Sequence, residues 1–155
     1  MHIHSLSRLV ILSNGHILLT QAHKKNGTAF YFLPGGHIEY NESMRKAAIR
    51  ELKEEINIDA SRVSDIRLLG VYECSWDDKG TPYHEIAFVS SCTVSGLDAK
   101  IPVQSNESHL SFHWQPINTL HQINFLPEDF RTLIPKWIGS SVDQENFFAS
   151  RFPEE

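Results

Sequence analysis

Long apolar runs are missing from this chain. No stretch approaches the ~20 residues that a membrane-spanning helix requires. Cysteine is nearly absent: Cys74 and Cys92 are the only two. They have no partner at metal-ligand spacing, which excludes a cysteine-rich zinc site and a dense disulfide framework. Both fall in strand-like runs, where buried, reduced thiols are expected. No block of lysine and arginine occurs, and 19 acidic against 14 basic side chains leave a net charge of −5. That balance argues against tight binding of long nucleic acid, which rests on many phosphate contacts. It leaves a small phosphorylated ligand open, because bound cations neutralise such a site locally. Repeats and low-complexity tracts are also absent. Met1-His2-Ile3-His4 lacks the basic segment and apolar core of a secretory signal, so the expected location is cytoplasmic. With 155 residues, 41% hydrophobic and 21% charged, the composition is that of one soluble domain. We place that domain at 1–139, with a polar C-terminal tail at 140–155.

What is abundant is acid, and it is concentrated. Asn41 to Asn57 holds no glycine or proline and reads as one helix, with strong helix formers at Ala47, Ala48, Leu52 and Glu54. At about 100° per residue, Glu51, Glu54 and Glu55 share one arc of that helix. They stand in its last two turns, where the helix dipole disfavours each anion by about 0.3–1 kcal/mol. Like-charge neighbours at i,i+3 and i,i+4 add about 0.2–0.5 kcal/mol of repulsion per pair. A divalent cation reverses the sign of all these effects, and carboxylate oxygen is the ligand that Mg²⁺ or Mn²⁺ prefers. The competing reading is a solvated acidic face, common on surface helices.

The same helix shows how it is mounted. Ala48, Ile49, Leu52 and Ile56 form an apolar stripe beside the carboxylates. Arg50 stands four residues before Glu54 and is placed to brace it. Asn41 or Ser43 caps the start, and Asn57 suits the left-handed residue that closes a helix. Upstream, Tyr31-Phe32-Leu33 reads as a short strand and Pro34-Gly35-Gly36 as a sharp turn. Around this centre, Ile3–Ser13 and His16–His23 are strands joined by Asn14-Gly15, a two-residue hairpin signal. Ile66–Trp76 and Pro82–Val94 are strands about a second turn. A polar connection (95–108) leads to a strand at His109–Gln115. A short helix at Pro116–Gln122 and a longer one at Pro127–Ile138 follow.

Gly36, Glu42, Arg50, Glu51, Leu52, Glu54, Glu55 and Ile58 stand at the spacing of the Nudix hydrolase signature, which this chain therefore resembles. The signature reads Gly, five residues, Glu, seven residues, Arg-Glu, a bulky aliphatic, any residue, Glu-Glu, any residue, Gly, aliphatic. Only the last glycine departs, as Asn57, and asparagine is the next most tolerant residue for positive φ. The resemblance implies an α/β fold, a Nudix-type α/β/α sandwich with a mixed sheet. It also implies a Mg²⁺- or Mn²⁺-dependent enzyme that cleaves the phosphoanhydride bond of a nucleoside diphosphate linked to another moiety. Residue by residue, it makes Glu51, Glu54 and Glu55 the metal ligands, one of them a candidate general base. Arg50 would orient a carboxylate, and Gly36 would bring its backbone to the metal.

Substrate-binding candidates are weaker. Arg8 and Lys24, with neighbouring Lys25, read either as phosphate contacts on the first hairpin or as solvated cations. Glu107, ahead of a strand, reads as a further ligand or base or as a solvated loop glutamate, and Glu39 beside the glycine turn has the same two readings. Trp76, Tyr72 and Tyr83 can stack a base or fill the core. Where many nucleotide-cleaving relatives carry an arginine at the end of the second strand, Gln21-Ala22-His23 stands instead. The expected partner is thus a small nucleotide-like molecule, not a nucleic acid or a membrane. Phe147, Phe148 and Phe152 would dock on the domain, make a homodimer contact or belong to a free tail. The alternative to an enzyme is a catalytically silent module of the same fold that binds a nucleotide and regulates a partner.

Overall fold

Asn14 and Gly15 both take positive φ (48° and 74°), as a two-residue hairpin turn of matching twist requires. They join β1 (Ile3–Ser13) to β2 (His16–His23), with Ser13 opposite His16. The computed structural model describes residues 2–140 and 147–151. Further strands are β3 (Ala29–Phe32), β4 (Gly35–His37), β5 (Val63–Asp78), β6 (Thr81–Val94), β7 (Ser111–Pro116) and β8 (Phe148–Ser150). The helices are α1 (Met44–Ile56) and α2 (Phe130–Gly139), with single-turn pieces at Ala60–Arg62 and Ile117–Gln122.

The strands run in the order β3-β2-β1-β6-β5-β8, with β4 also on β1 and β7 on β2. β1 pairs parallel with β6 and antiparallel with β4, which makes the sheet mixed. β1 is covered on both faces, and its residues divide between them by the two-residue period of a strand. Leu6 and Val10 pack with Tyr72, Val89, Phe130 and Trp137, the α2 side. Leu9 and Ile11 pack with Ala48, Leu52 and Ile56, the α1 side. A strand buried on both faces carries a continuous apolar run, as Leu9-Val10-Ile11 does. One helix per face completes the expected α/β/α sandwich.

Three of the differences from the sequence reading have a clear local reason. α1 starts at Met44 and not at Asn41, because Ser43 is the cap and Asn41 turns to φ 62°, incompatible with helix. α2 starts at Phe130 rather than Pro127, since residues 127–129 form a turn whose carbonyls accept from the N–H groups of residues 130–133. Pro34-Gly35-Gly36 is no sharp turn. Its glycines form β4, paired to β1 with Gly36 opposite Ser7 and Gly35 opposite Arg8. Gly35 takes φ 117°, and a Cβ there would run into the Ser7 carbonyl oxygen. Only glycine lets the two backbones come so close.

Cys74 and Cys92 are free and buried, as expected, and burial pushes their thiols up to about 11 and about 12. At the C-terminal end, β8 adds to the edge of β5, with Val71 opposite Phe148. The Phe147 and Phe148 rings remain exposed, while Phe152 lies outside the described residues. Among the described residues no helix is long and apolar enough to cross a membrane.

Candidate active site

α1 carries the acidic cluster, and its two ends are held firmly. The Ser43 side chain accepts from the Lys46 N–H at 3.3 Å. Asn57 adopts the left-handed conformation (φ 56°, ψ 37°) and donates its N–H to the Lys53 carbonyl, which terminates the helix without glycine. Asn106 clasps the same end: its N–H donates to the Glu55 carbonyl at 2.8 Å and its Nδ2 to the Glu54 carbonyl at 3.1 Å. These bonds satisfy helix-end carbonyls that otherwise lack partners.

Arg50 is the hub. Its Nε and Nη2 donate to the two Glu42 oxygens at 2.9 and 3.0 Å, a bidentate pair. Nη1 donates to Glu51 at 2.8 Å and Glu54 at 3.2 Å, and Nη2 also reaches the His37 carbonyl at 2.9 Å. One guanidinium thus fixes three carboxylates and ties the helix to β4. The bond with Glu42 is the main reason the Arg50 guanidinium holds its proton even more tightly than usual. The same bond keeps the Glu42 carboxyl below its ordinary range. Sequence spacing anticipated the brace on Glu54. It did not reveal Glu42 as the principal partner, because the loop between them has no periodic pattern.

Glu51 and Glu55 face β4. A Cβ on Gly36 would sit 2.7 Å from the Glu51 carboxyl carbon, so the bare glycine makes room for that carboxylate. Glu55 is buried, 5% exposed, and accepts from the Gly35 N–H at 3.2 Å. Burial pushes its carboxyl up to about 8, and the charges of Glu51 and Glu107 add to the rise. The Gly35 hydrogen bond and Arg8 oppose it and do not cancel it. Desolvation and two neighbouring acids thus disfavour the charged form of Glu55, which a bound cation would favour.

Among the described residues no three acidic, histidine or cysteine side chains converge closely enough to hold a metal ion as they stand. The reason is visible in Arg50, which draws Glu51 and Glu54 toward itself. Glu54 is 54% exposed and can turn without disturbing the core. The donor set still fits a hard divalent cation: carboxylate oxygens beside a glycine backbone, with excess negative charge.

The remaining candidates divide. Glu107 is brought near Glu55 by the Asn106 clasp, and His109 lies 3.4 Å from its carboxylate. Glu39 is exposed and only its backbone engages Glu42. Lys24 is exposed at the β2–β3 turn, where its backbone closes the loop with Gly27 and Thr28. Arg8 is no solvated cation. Its Nη1 donates to the Leu33 and Gly35 carbonyls at 3.1 and 2.6 Å, and its guanidinium lies 5.6 Å from the Phe32 ring centre. Desolvation lowers its pKa against the pull of Glu55, Glu85 and Glu51.

Next to this acidic end opens a cavity of about 570 Å³ lined by Arg8, Phe30, Phe32, Trp76, Glu85 and Pro127, among others. Trp76 stacks on Tyr83 with ring centres 4.3 Å apart and planes within 8°. Tyr72 also borders this cavity but is packed in the core, its hydroxyl donating to Asp129 at 2.6 Å. His84 Nε2 lies 3.0 Å from Glu73 Oε1. Phe30, Phe32 and Glu85 escaped the sequence reading, since isolated residues in strands carry no distinguishing spacing.

A sequence model of the NUDIX domain matches residues 4–137. The chain belongs to the Nudix family. Nudix hydrolase 5 of Arabidopsis thaliana is 29% identical over 117 residues, covering 72% of this chain and 35% of that protein. A curated relative from Caenorhabditis elegans, also named as a nudix hydrolase, is 26% identical over 120 residues, covering 76% of this chain and 30% of its own length. The chain therefore spans about a third of the length of the curated relatives it matches. Among solved structures, the E. coli ORF135 protein superposes with a TM-score of 0.63 at 22% identity, over 93% of this chain and 96% of that one. An Ap4A hydrolase of C. elegans superposes with a TM-score of 0.61 at 24% identity, over 87% and 95%. At such identities the likeness is one of Nudix fold.

Proposed function

We propose that this Nudix domain is a hydrolase that uses a divalent cation, Mg²⁺ or Mn²⁺, to cleave the phosphoanhydride bond of a nucleoside diphosphate linked to another moiety. The observation that carries the proposal is the buried Glu55 carboxyl beside Glu51 and Gly36, whose charge Arg8 offsets only in part. Glu51, Glu54 and Glu55 would hold the metal, with the Gly36 backbone alongside. A cation bound there would supply positive charge to a diphosphate and acidify a water. Arg50 orients Glu51 and Glu54, so both carboxylates meet the substrate in one geometry. Arg8 holds the Leu33 and Gly35 carbonyls and so steadies β4, on which the Gly35–Glu55 bond depends. Glu107, on a loop clasped to the helix, is placed to take a proton beside Glu55.

The adjoining aromatic cavity supports a nucleoside end on the substrate, since a flat base matches Phe30, Phe32 and Trp76. Of the solved neighbours, those titled Ap4A hydrolase fit that class, although the match there is one of fold. We further read residues 1–139 as the catalytic domain, with β8 of the following segment added to its sheet edge, the location as cytoplasmic and the exposed Phe147 and Phe148 as a homodimer contact. A silent nucleotide-binding module has no use for the repulsive carboxylate trio, which favours catalysis.

The test is incubation of purified protein with Mg²⁺ and a panel of nucleoside di- and triphosphate derivatives, assayed for mononucleotide release. Glu54→Gln and Glu55→Gln should each lower turnover by orders of magnitude while the fold persists. Equal rates in variant and parent would end the proposal.

A further inference from the structure

Opposite charges at the base of the aromatic cavity stand near one another without pairing. Arg8 on β1 and Glu85 on β6 both line it. In the parallel β1–β6 register Arg8 lies opposite Val89 and Glu85 opposite His4, four ladder positions apart, about 13 Å along the strands. The long Arg8 side chain crosses part of that interval and senses the charge of Glu85. No ion pair within 4.0 Å closes between them. Arg8 spends the two hydrogens of Nη1 on the Leu33 and Gly35 carbonyls. Its Nε and Nη2 hydrogens, and both Glu85 oxygens, make no hydrogen bond among the described residues. A half-buried pair of this kind, walled by Phe30, Phe32 and Trp76, presents donors beside acceptors between flat apolar surfaces.

We infer that Arg8 and Glu85 read the Watson–Crick edge of a guanine base held in this cavity. The inference rests on the nucleotide-substrate reading above and names the base. Guanine offers an acceptor (O6) next to two donors (N1–H and the 2-amino group). That order is complementary to a guanidinium followed by a carboxylate, which when ionised only accepts. Adenine, cytosine and uracil place no two donors side by side on that edge. The ring stacks against Trp76, whose other side is already covered by Tyr83, in the manner of bases read out of a helix. Glu85 is thus a specificity-determining residue; the hydrolytic step does not need it.

The experiment measures binding of GDP, IDP, ADP and 2′-deoxyguanosine diphosphate to the intact protein in Mg²⁺ by calorimetry, with hydrolysis of the matching triphosphates alongside. Inosine lacks only the 2-amino group, so GDP should bind about 10- to 100-fold tighter than IDP, the worth of one hydrogen bond to a charged acceptor. Glu85→Gln should abolish that ratio and leave ADP binding unchanged. Guanine preference in binding without any hydrolysis supports this inference and overturns the hydrolase reading instead. Equal affinity for GDP and IDP in the parent protein overturns the inference, whatever is hydrolysed. A Glu85→Gln variant that loses only its discrimination between ribose and deoxyribose also overturns it, since Glu85 would then hold the sugar.

Discussion

Replacing either of two adjacent glycines by alanine separates geometry at the site from integrity of the fold. At Gly36 the backbone lies outside the left-handed region, so alanine is allowed by its own conformation. Its methyl, however, would sit 2.7 Å from the Glu51 carboxyl carbon and 2.9 Å from Oε2, against an ordinary contact of about 3.5–4.0 Å. The Glu51 carboxylate must retreat by about 1 Å, which also strains its 2.8 Å bond to Arg50. A misplacement of that size costs about 10²-fold in rate, or about 2.7 kcal/mol at the transition state. Gly36→Ala should therefore lower kcat/KM about a hundredfold, weaken activation by Mg²⁺, and shift Tm by no more than a few degrees. Gly35→Ala should do the reverse in kind. Its methyl meets the Ser7 backbone, which cannot rotate away, and φ 117° is strained for any L residue. About 1–3 kcal/mol of strain corresponds to a Tm fall of several degrees in a chain of this size. Steady-state hydrolysis, a Mg²⁺ titration and a melting curve on both variants decide it. Gly36→Ala turning over within threefold of the parent, or melting as early as Gly35→Ala, would refute the placement of Glu51.

Two further outcomes are expected. Without metal, stability should depend on pH through Glu55: its carboxyl titrates near 8 when folded against about 4.5 when unfolded, so the folded state holds the proton more tightly. That contribution is complete below about pH 4.5 and is lost as pH rises toward 8, a change on the order of a few kcal/mol. Melting curves in chelator across that window should show the decline, and Glu55→Gln should flatten it; an unchanged slope in the variant would point to another group. Arg50→Lys keeps the charge but not the fork that grips Glu42, Glu51 and Glu54 together. It should cost about 10- to 100-fold in kcat/KM, and a variant with parental kinetics would show that the brace is dispensable.

Some of this protein is legible without coordinates because it is local. The hairpin at Asn14-Gly15, the cap at Ser43 and the left-handed close at Asn57 are each set by a residue's own φ preference or side-chain reach. Helical periodicity alone puts Glu51, Glu54 and Glu55 on one arc. Two-residue alternation likewise sorts Leu6 and Val10 from Leu9 and Ile11. Which backbone lies opposite is not written in the local sequence. The Gly35-Gly36 pair looked like a turn because glycine permits turns, yet the Ser7 backbone across from it makes it a strand.

Long-range placement decided the rest. Arg8, a cation near a hairpin in the sequence, is drawn inward because Leu33 and Gly35, at the entry to β4, turn their carbonyls toward it. Glu107 and Asn106 reach α1 only because the connection after β6 folds back over the helix end. Glu85 on β6 and the Phe30–Phe32 pair on β3 come from separate strands, and no spacing along the chain could set the two together around one cavity. Charge, capping and periodicity are properties of neighbours in sequence and so determined the acidic helix. Which distant side chains confront it, and the desolvation that raises Glu55, arise from sheet register and burial, which exist only once the chain has closed on itself.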